Sequence, residues 1–200
     1  SYITEQIKEF VDRADDGDLV QSSLVPSGEQ QRAIDAINIS INSIEGKQIH
    51  IVQGGPGTGK TIVGLFLLFS NAQLGSTIRY IAGNSPSPRN LVTRIADEME
   101  DYEDFSPLIK TAGLLGVEAR KSDSEFIDLL IVDEAQSLLT YGQPAPIKLE
   151  DAIRKSRIVV FLMDERQSMH LKNEVTASKI REICDSEEFG NIRLEEWRLQ

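Results

Sequence analysis

Short apolar runs alternate along the chain with longer segments in which apolar residues recur every three or four positions. The apolar runs predict four β-strands, at 48–53, 77–82, 126–132 and 157–163, and the start of a fifth at 192–194. The other segments predict helices at 3–11, 28–43, 60–74, 90–100, 148–155 and 176–184. Strands that alternate with helices favour an α/β domain, with a mostly parallel sheet and helices on both of its faces.

The second predicted helix begins with a recognisable N-terminal signal. Ser27 has the residue type of an N-cap, and Gln30 stands three positions later, which completes a capping box. The acidic segment that precedes it separates this helix from the first one. We therefore expect a short helical extension over 1–23 and one domain over 24–200.

Composition narrows the class of protein. The chain has 200 residues, and a hydrophobic share of 40% is typical of a globular protein. Its net charge of −11 argues against a free-standing cationic nucleic-acid binder. Its one cysteine, Cys184, excludes a disulfide framework. The longest apolar run, 62–69, is far shorter than the roughly 20 residues that span a membrane. We expect a cytoplasmic protein that is not embedded in a membrane.

A glycine-rich motif follows the first strand directly. The run "GGPGTGKT" at 54–61 has the P-loop pattern of Gly, four residues, Gly, Lys and Thr, and an apolar helix comes next. Backbone N–H groups of such a loop converge on phosphates, the lysine reaches the β- and γ-phosphates, and the threonine hydroxyl can bind Mg²⁺. The predicted phosphate-binding residues are Gly54, Gly55, Pro56, Gly57, Thr58, Gly59, Lys60 and Thr61.

Two later strands end in polar residues that suit triphosphate hydrolysis. The strand in "FIDLLIVDEAQS" ends at Asp133, which we expect to hold Mg²⁺ through water, and at Glu134, which would orient and polarise the attacking water. The strand in "RIVVFLMDERQS" ends at Asp164, with Gln167 three residues later. A glutamine there can contact the γ-phosphate and report its presence.

This order of motifs resembles superfamily 1 helicases and their relatives. In that family a glutamine upstream of the P-loop contacts adenine, and "SGEQQRAI" is similar to that element, with Gln30 in the matching position. The resemblance implies ATP as the nucleotide. A second interpretation stays open, in which Gln30 serves only the capping box.

The resemblance also implies a polymer and a narrower family. The segment "YIAGNSPSPRNLV" is similar to one that touches single-stranded nucleic acid in such helicases. The runs "IVDEAQS" and "DAIRKSRIVVFLMDERQS" look closer still to the bacterial Schlafen-group-3-like helicase domain. The resemblance extends over about 24–200 and implies the RecA-like type of P-loop NTPase fold.

The last residues resemble a further motif of that family. In "IRLEEWRLQ", Trp197 takes the aromatic position and Arg198 matches the arginine that approaches the γ-phosphate, whereas Glu196 departs from the usual pattern. Superfamily 1 motors bind ATP between two RecA-like domains. The chain matches only the first, so we expect slow ATP hydrolysis and a nucleic-acid cleft that is shared with an absent second domain.

Two functions of different classes remain open, together with the oligomeric state. One is an ATP-driven DNA or RNA helicase or translocase. The other is a nucleotide switch that gates a nuclease or another effector without unwinding. A small-molecule kinase is disfavoured because no arginine-rich lid is evident. The basic residues that could contact nucleic acid, or could equally be ordinary surface cations, are Arg89, Arg94, Arg154, Lys155 and Arg157.

Overall fold

The computed structural model describes residues 26–43, 46–72, 77–82, 109–111, 126–138, 148–164, 175–190 and 192–200. The helices are α1 (Gly28–Asn42), α2 (Lys60–Asn71), α3 (Ala135–Leu138), α4 (Leu149–Arg154) and α5 (Ala177–Cys184). The strands are β1 (Gln48–Gln53), β2 (Ile78–Ala82), β3 (Ile109–Thr111), β4 (Ile127–Val132), β5 (Ser156–Met163) and β6 (Arg193–Arg198).

The strands form one parallel sheet of six in the order β3-β2-β4-β5-β1-β6. Because every strand runs in the same direction, the carboxyl ends of β1, β4, β5 and β6 meet at one edge of the sheet. That edge is where ligands bind in open α/β folds. Strand β5 lies between β1, which leads into the glycine-rich loop, and β4, which leads into Asp133.

Helices cover both faces of the sheet, as predicted. Alternate strand residues face opposite sides, so Leu129 and Ile131 pack with α1 and α2, whereas Leu130 and Val132 pack with α4 and α5. Strands buried on both faces are continuous apolar runs, which is why their positions were evident in the sequence. No helix among the described residues is both long enough and apolar enough to cross a membrane.

Most predicted elements are confirmed, with four differences, the first of which is the short helix α3, which was not predicted. Strand β3 was not predicted, because three residues with one apolar side chain are too few to show a period. The start of a strand at 192–194 belongs to a strand that continues to Arg198. The apolar helix α2 ends at Asn71, before the predicted limit. The predicted helices 3–11 and 90–100 lie outside the described residues.

Side chains satisfy both ends of α1. The capping box is present, since Ser27 Oγ accepts from the Gln30 N–H at 3.4 Å and Gln30 Oε1 accepts from the Ser27 N–H at 2.8 Å. At the other end, the Arg157 guanidinium donates to the carbonyls of Ile41, at 2.7 Å, and Ser43, at 3.3 Å. A cation is favourable at a helix C-terminus. Arg157 therefore joins α1 to β5.

His50 and Cys184 are two of the titratable side chains that are buried inside the fold. His50 on β1 is fully buried; desolvation lowers its pKa to about 4, although nearby Glu195 acts in the opposite direction, so the ring is neutral near pH 7. Its Nε2 has no hydrogen-bond partner among the described residues. Burial raises the pKa of Cys184 to about 11, which suits an apolar core residue.

Gly64 allows α2 to pack closely on the sheet. A Cβ at this position would lie 2.7 Å from Leu162 Cδ1 and 2.9 Å from Tyr80 Cε2. We expect Gly64→Ala to lower the free energy of unfolding by up to about 2 kcal/mol, because overpacking costs about 1–3 kcal/mol and the gain in helix propensity offsets roughly 1 kcal/mol of it. Urea denaturation measures this change.

Gly28 provides the matched control, because a Cβ there would meet nothing within 4 Å. Gly28→Ala should leave stability unchanged or raise it by about 0.4–1 kcal/mol. Equal stability of the two variants would contradict the close packing of α2.

Candidate functional site

The glycine-rich loop leaves β1 at the carboxyl edge of the sheet and leads into α2. The Gly54 N–H donates to the Met163 carbonyl at 3.2 Å, which ties the start of the loop to the end of β5. Gly57 and Gly59 both have φ of 78°, a left-handed conformation that favours glycine. The loop thus passes in front of the N-terminus of α2, where backbone N–H groups and the helix dipole attract anions.

Two glycines of this loop are also required by close contacts. A Cβ at Gly54 would overlap Thr58 Oγ1 and would lie 3.2 Å from the Leu199 carbonyl oxygen. A Cβ at Gly59 would overlap Gln30 Nε2. The loop therefore packs against both α1 and the segment that follows β6, and its conformation is supported from two sides.

Lys60, the first residue of α2, folds back over the loop. Its Nζ donates to the carbonyl oxygens of Gly54, at 2.6 Å, and Gly55, at 2.8 Å. Burial lowers the pKa of the amino group, while the nearby acidic residues Asp164, Asp133 and Glu134 raise it. The cation thus lies beside the loop whose N–H groups would meet a phosphate.

Thr61 and Asp133, the hydroxyl and the carboxylate predicted to hold Mg²⁺, are in contact. Thr61 Oγ1 donates to Asp133 Oδ2 at 2.9 Å, and Asp133 is 4% exposed. The other carboxylate oxygen, Oδ1, accepts from the Glu134 N–H at 3.0 Å. A hydroxyl beside a carboxylate offers the oxygen ligands that Mg²⁺ prefers, in the one or two protein contacts that it commonly makes. These residues fit the ion.

Tyr80 completes the contacts of Asp133 and was not singled out by sequence reasoning. Its hydroxyl donates to Asp133 Oδ2 at 2.8 Å, and the residue is fully buried on β2. Burial, with the Asp133 charge as the next cause, raises the pKa of Tyr80 well above its usual value, so the hydroxyl stays protonated. The available signal was a tyrosine in an apolar strand, because a buried phenol needs a partner.

Glu134 is exposed and has an unusual backbone conformation. Its φ is 53°, and it is the one non-glycine residue with positive φ among the residues that the structure describes. A non-glycine residue in this region costs about 1–2 kcal/mol, and such strain clusters at functional sites. The turn directs the chain from β4 into α3, where the Ser137 N–H donates to the Glu134 carbonyl at 2.9 Å.

Gln30 uses both ends of its side-chain amide. The oxygen serves the capping box, and Nε2 donates to the Thr58 carbonyl at 2.7 Å. The capping box is therefore present, but Gln30 does not serve it alone, because the second hydrogen bond joins its side chain to the loop. One N–H and one lone pair of the amide stay available, so contact with adenine remains a prediction.

The segment around Gln167 lies outside the described residues, but its starting point is defined. Strand β5 ends beside Asp164, whose backbone N–H donates to Gln136 Oε1 at 3.3 Å. Gln136 belongs to α3, directly after Asp133 and Glu134 in "DEAQ". Sequence reasoning assigned Gln136 no role, yet this residue joins the turn after β4 to the end of β5.

Arg198 ends β6, at the same edge of the sheet as the loop. Its Cα is paired with Gln53, the last residue of β1, and the Leu199 N–H donates to the Gln53 carbonyl at 2.8 Å. The neighbouring Trp197 donates from Nε1 to His50 Nδ1 at 3.4 Å. Arg198 itself is exposed, so its approach to a γ-phosphate remains a prediction.

Two of the candidate nucleic-acid contacts have structural roles at the opposite edge. Arg157 satisfies the end of α1, and Arg154 pairs with Asp151 at 3.0 Å and with Glu188 at 2.5 Å. Both lie near the amino end of β5, away from the loop. Arg89 and Arg94 lie outside the described residues.

A parallel sheet covered on both faces, a P-loop after β1 and an acidic pair after β4 define a RecA-like P-loop NTPase domain. The chain belongs to the family "Schlafen group 3, DNA/RNA helicase domain", whose model matches residues 47–198. This is a helicase-like P-loop ATPase family.

One curated relative and two solved structures add to this comparison. "RecBCD enzyme subunit RecD" of Buchnera aphidicola subsp. Schizaphis graminum is 30% identical in an alignment of 162 positions that covers 71% of this chain. The chain spans about a quarter (26%) of the length of that relative. The structure of the flagellar accessory protein FlaH of Methanocaldococcus jannaschii is 14% identical, with a TM-score of 0.46, and the match covers 74% of this chain and 72% of that one. The structure of AMPPCP-bound DnaA of Aquifex aeolicus is also 14% identical, with a TM-score of 0.47, and the match covers 87% of this chain and 48% of that one.

The left-handed conformation of Glu134 predicts an inverted response to glycine. We expect Glu134→Gly to be about 1 kcal/mol more stable than Glu134→Ala, because glycine adopts positive φ without a Cβ clash. Urea denaturation of both variants measures the difference.

Ser137, which is exposed on the short helix α3 directly after this turn, is the matched control. There alanine should be the more stable substitution by about 0.5–1 kcal/mol, as in ordinary helical backbone. The same order of stability at both positions would contradict strain at Glu134.

Proposed function

We propose that the chain binds Mg-ATP and hydrolyses it slowly, as the first RecA-like domain of a DNA or RNA helicase or translocase. In this proposal the domain extends over 24–200, preceded by a helical extension over 1–23. The observation that carries the proposal is the hydrogen bond between Thr61 and Asp133, because it brings the P-loop and the acidic strand end into one site.

The phosphates would be held by the loop and by Lys60. The backbone N–H groups of 54–59 and the N-terminus of α2 supply a fixed positive field. To reach the β- and γ-phosphates, the Lys60 ammonium exchanges the Gly54 and Gly55 carbonyls for phosphate oxygens. The lysine thus keeps hydrogen-bond acceptors in both states.

Thr61 and Asp133 would hold the metal, and Glu134 would act on water. Mg²⁺ bound there would neutralise charge on the β- and γ-phosphates. The Thr61 hydroxyl can continue to donate its hydrogen bond to Asp133 while an oxygen lone pair is available to the ion, so little rearrangement would be needed. Glu134, exposed beside this pair, would accept a proton from the attacking water.

Three further residues receive proposed roles from their position in the fold. Gln167, three residues beyond Asp164, follows the strand between β1 and β4 and would sense the γ-phosphate. Arg198, beside the end of β1, would approach the same group. Gln30 would contact adenine with the free part of its amide. An arginine supplied across an interface can add about 10³- to 10⁵-fold in rate, so a domain acting without one is slow.

A nucleotide switch without motor activity is the second candidate. The observations that favour it are the net charge of −11 and the structural use of Arg154 and Arg157, since nucleic-acid affinity depends largely on free Lys and Arg. The motor is preferred because of the family and because a polymer would bind in a cleft shared with a second domain.

Two substitutions separate nucleotide binding from hydrolysis. Lys60→Ala should abolish ATP binding, because the phosphates lose their one side-chain cation in the loop. Glu134→Gln should preserve binding and lower turnover at least about 100-fold, as expected for loss of a general base. Binding of a fluorescent ATP analogue and phosphate release measure the two effects.

Lys179→Ala and Glu182→Gln are the matched controls, because these residues form an ion pair on α5 in which Glu182 is exposed and Lys179 is half-buried. Both variants should bind and hydrolyse ATP normally. Normal turnover by Glu134→Gln would show that the base is another residue.

The polymer is identified by stimulation of turnover. When single-stranded DNA or RNA is added, the rate of ATP hydrolysis by the full-length protein should rise well above the rate of the Glu134→Gln variant. The rate of ATP hydrolysis by this chain alone should be lower than that of the full-length protein. Turnover that is indifferent to both polymers would favour the switch. Equal turnover by the chain and by the full-length protein would contradict a site completed by a second domain.

A further inference from the structure

We propose that Tyr80 is a positioning residue for the divalent cation: its hydroxyl fixes the Asp133 carboxylate in the orientation that the cation requires. The inference rests on the proposed Mg-ATP site and deepens it by adding a residue outside the P-loop and the acidic strand end. Tyr80 would not touch nucleotide or metal and would act through Asp133.

The contacts of Asp133 assign a different task to each oxygen. Oδ2 accepts from both the Tyr80 hydroxyl, at 2.8 Å, and the Thr61 hydroxyl, at 2.9 Å, whereas Oδ1 accepts from the Glu134 N–H at 3.0 Å. Three donors from β2, α2 and the turn after β4 surround one carboxylate. Rotation of the carboxylate would break two of these bonds together.

Tyr80 is itself held firmly. The Cα of Tyr80 is paired with that of Ile131 on β4, two residues before Asp133, and Tyr80 is fully buried. On the other side its ring faces Gly64, where even a Cβ would lie within 2.9 Å. Gly64 is one turn of α2 beyond Lys60 and Thr61. The ring is thus enclosed between the sheet and the helix that carries the proposed phosphate and metal ligands.

Such a support matters more for Mg²⁺ than for most ligands. Mg²⁺ demands a nearly ideal octahedral geometry, so its affinity depends on ligands that are already in place. Hydrogen-bond partners of metal ligands typically contribute about 10- to 100-fold in metal affinity or activity. The Lys60 ammonium contacts the Gly54 and Gly55 carbonyls rather than Tyr80, so we expect phosphate binding without metal to be independent of the phenol.

The test measures binding rather than turnover. A fluorescent ATP analogue is titrated against the full chain, first with EDTA and then over a range of Mg²⁺ concentrations. We expect Tyr80→Phe to raise the Mg²⁺ midpoint about 10-fold and to leave the affinity in EDTA within about twofold. In the Asp133→Asn background, Tyr80→Phe should add no further shift, because the residue acts through Asp133.

Two controls separate the hydrogen bond from packing. Ser156→Ala removes a buried hydroxyl at the amino end of β5 and should leave both constants unchanged. At position 80, 4-aminophenylalanine keeps an N–H donor and should restore the midpoint, whereas 4-methylphenylalanine fills the same space without a donor and should not. This pair gives a result even where the smaller Phe variant folds poorly.

The outcomes are distinguishable. A wild-type chain whose nucleotide affinity ignores Mg²⁺ would overturn the proposed function, and this inference with it. A wild-type chain that responds to Mg²⁺, with an unshifted midpoint in Tyr80→Phe, would overturn the inference alone. An equal loss of affinity in EDTA and in Mg²⁺, or an additive shift in the Asp133→Asn background, would also overturn it, since both indicate a structural role.

Discussion

The hydrogen bond between Thr61 and Asp133 joins two segments that are 72 residues apart in sequence. It is short only because β1 and β4 run parallel and end at the same edge of the sheet, with β5 between them. Parallel strands require crossovers, and the crossover after β1 is the loop with α2. The site is therefore a consequence of the sheet direction, and every other contact there supports this one.

Those supporting contacts come from elements on several sides. The side chain of Gln30 on α1 holds the Thr58 carbonyl, and the Leu199 N–H after β6 holds the Gln53 carbonyl at the start of the loop. Gln136 joins the turn after β4 to the end of β5. A rigid arrangement of this kind presents binding groups without reorganisation, which is how positioning and electrostatic stabilisation act in phosphoryl transfer.

Local patterns predicted the sheet and the outline of the site, whereas contacts between distant residues could not be predicted. The P-loop and the acidic strand end are contiguous motifs that follow predicted parallel strands, so their position at this edge could be inferred from the sequence, while their roles stay predictions. The Tyr80 contact depends on the register between β2 and β4, which no period in the sequence reveals. Arg157 looked like a surface cation because the helix end that it satisfies lies 116 residues earlier.

The arrangement of charge at the two ends of the sheet follows from the same constraint. At the amino end of β5, Arg157 and Arg154 are occupied by helix carbonyls and carboxylates, so cations there contribute to stability. At the carboxyl edge, the hydrogen bonds of Lys60 within the described part of the chain go to two loop carbonyls, which a phosphate can replace. A cation whose partners are exchangeable is available to a ligand, whereas one that satisfies a helix end is not. The carboxyl edge is therefore the end of the fold at which an anionic ligand gains most from binding.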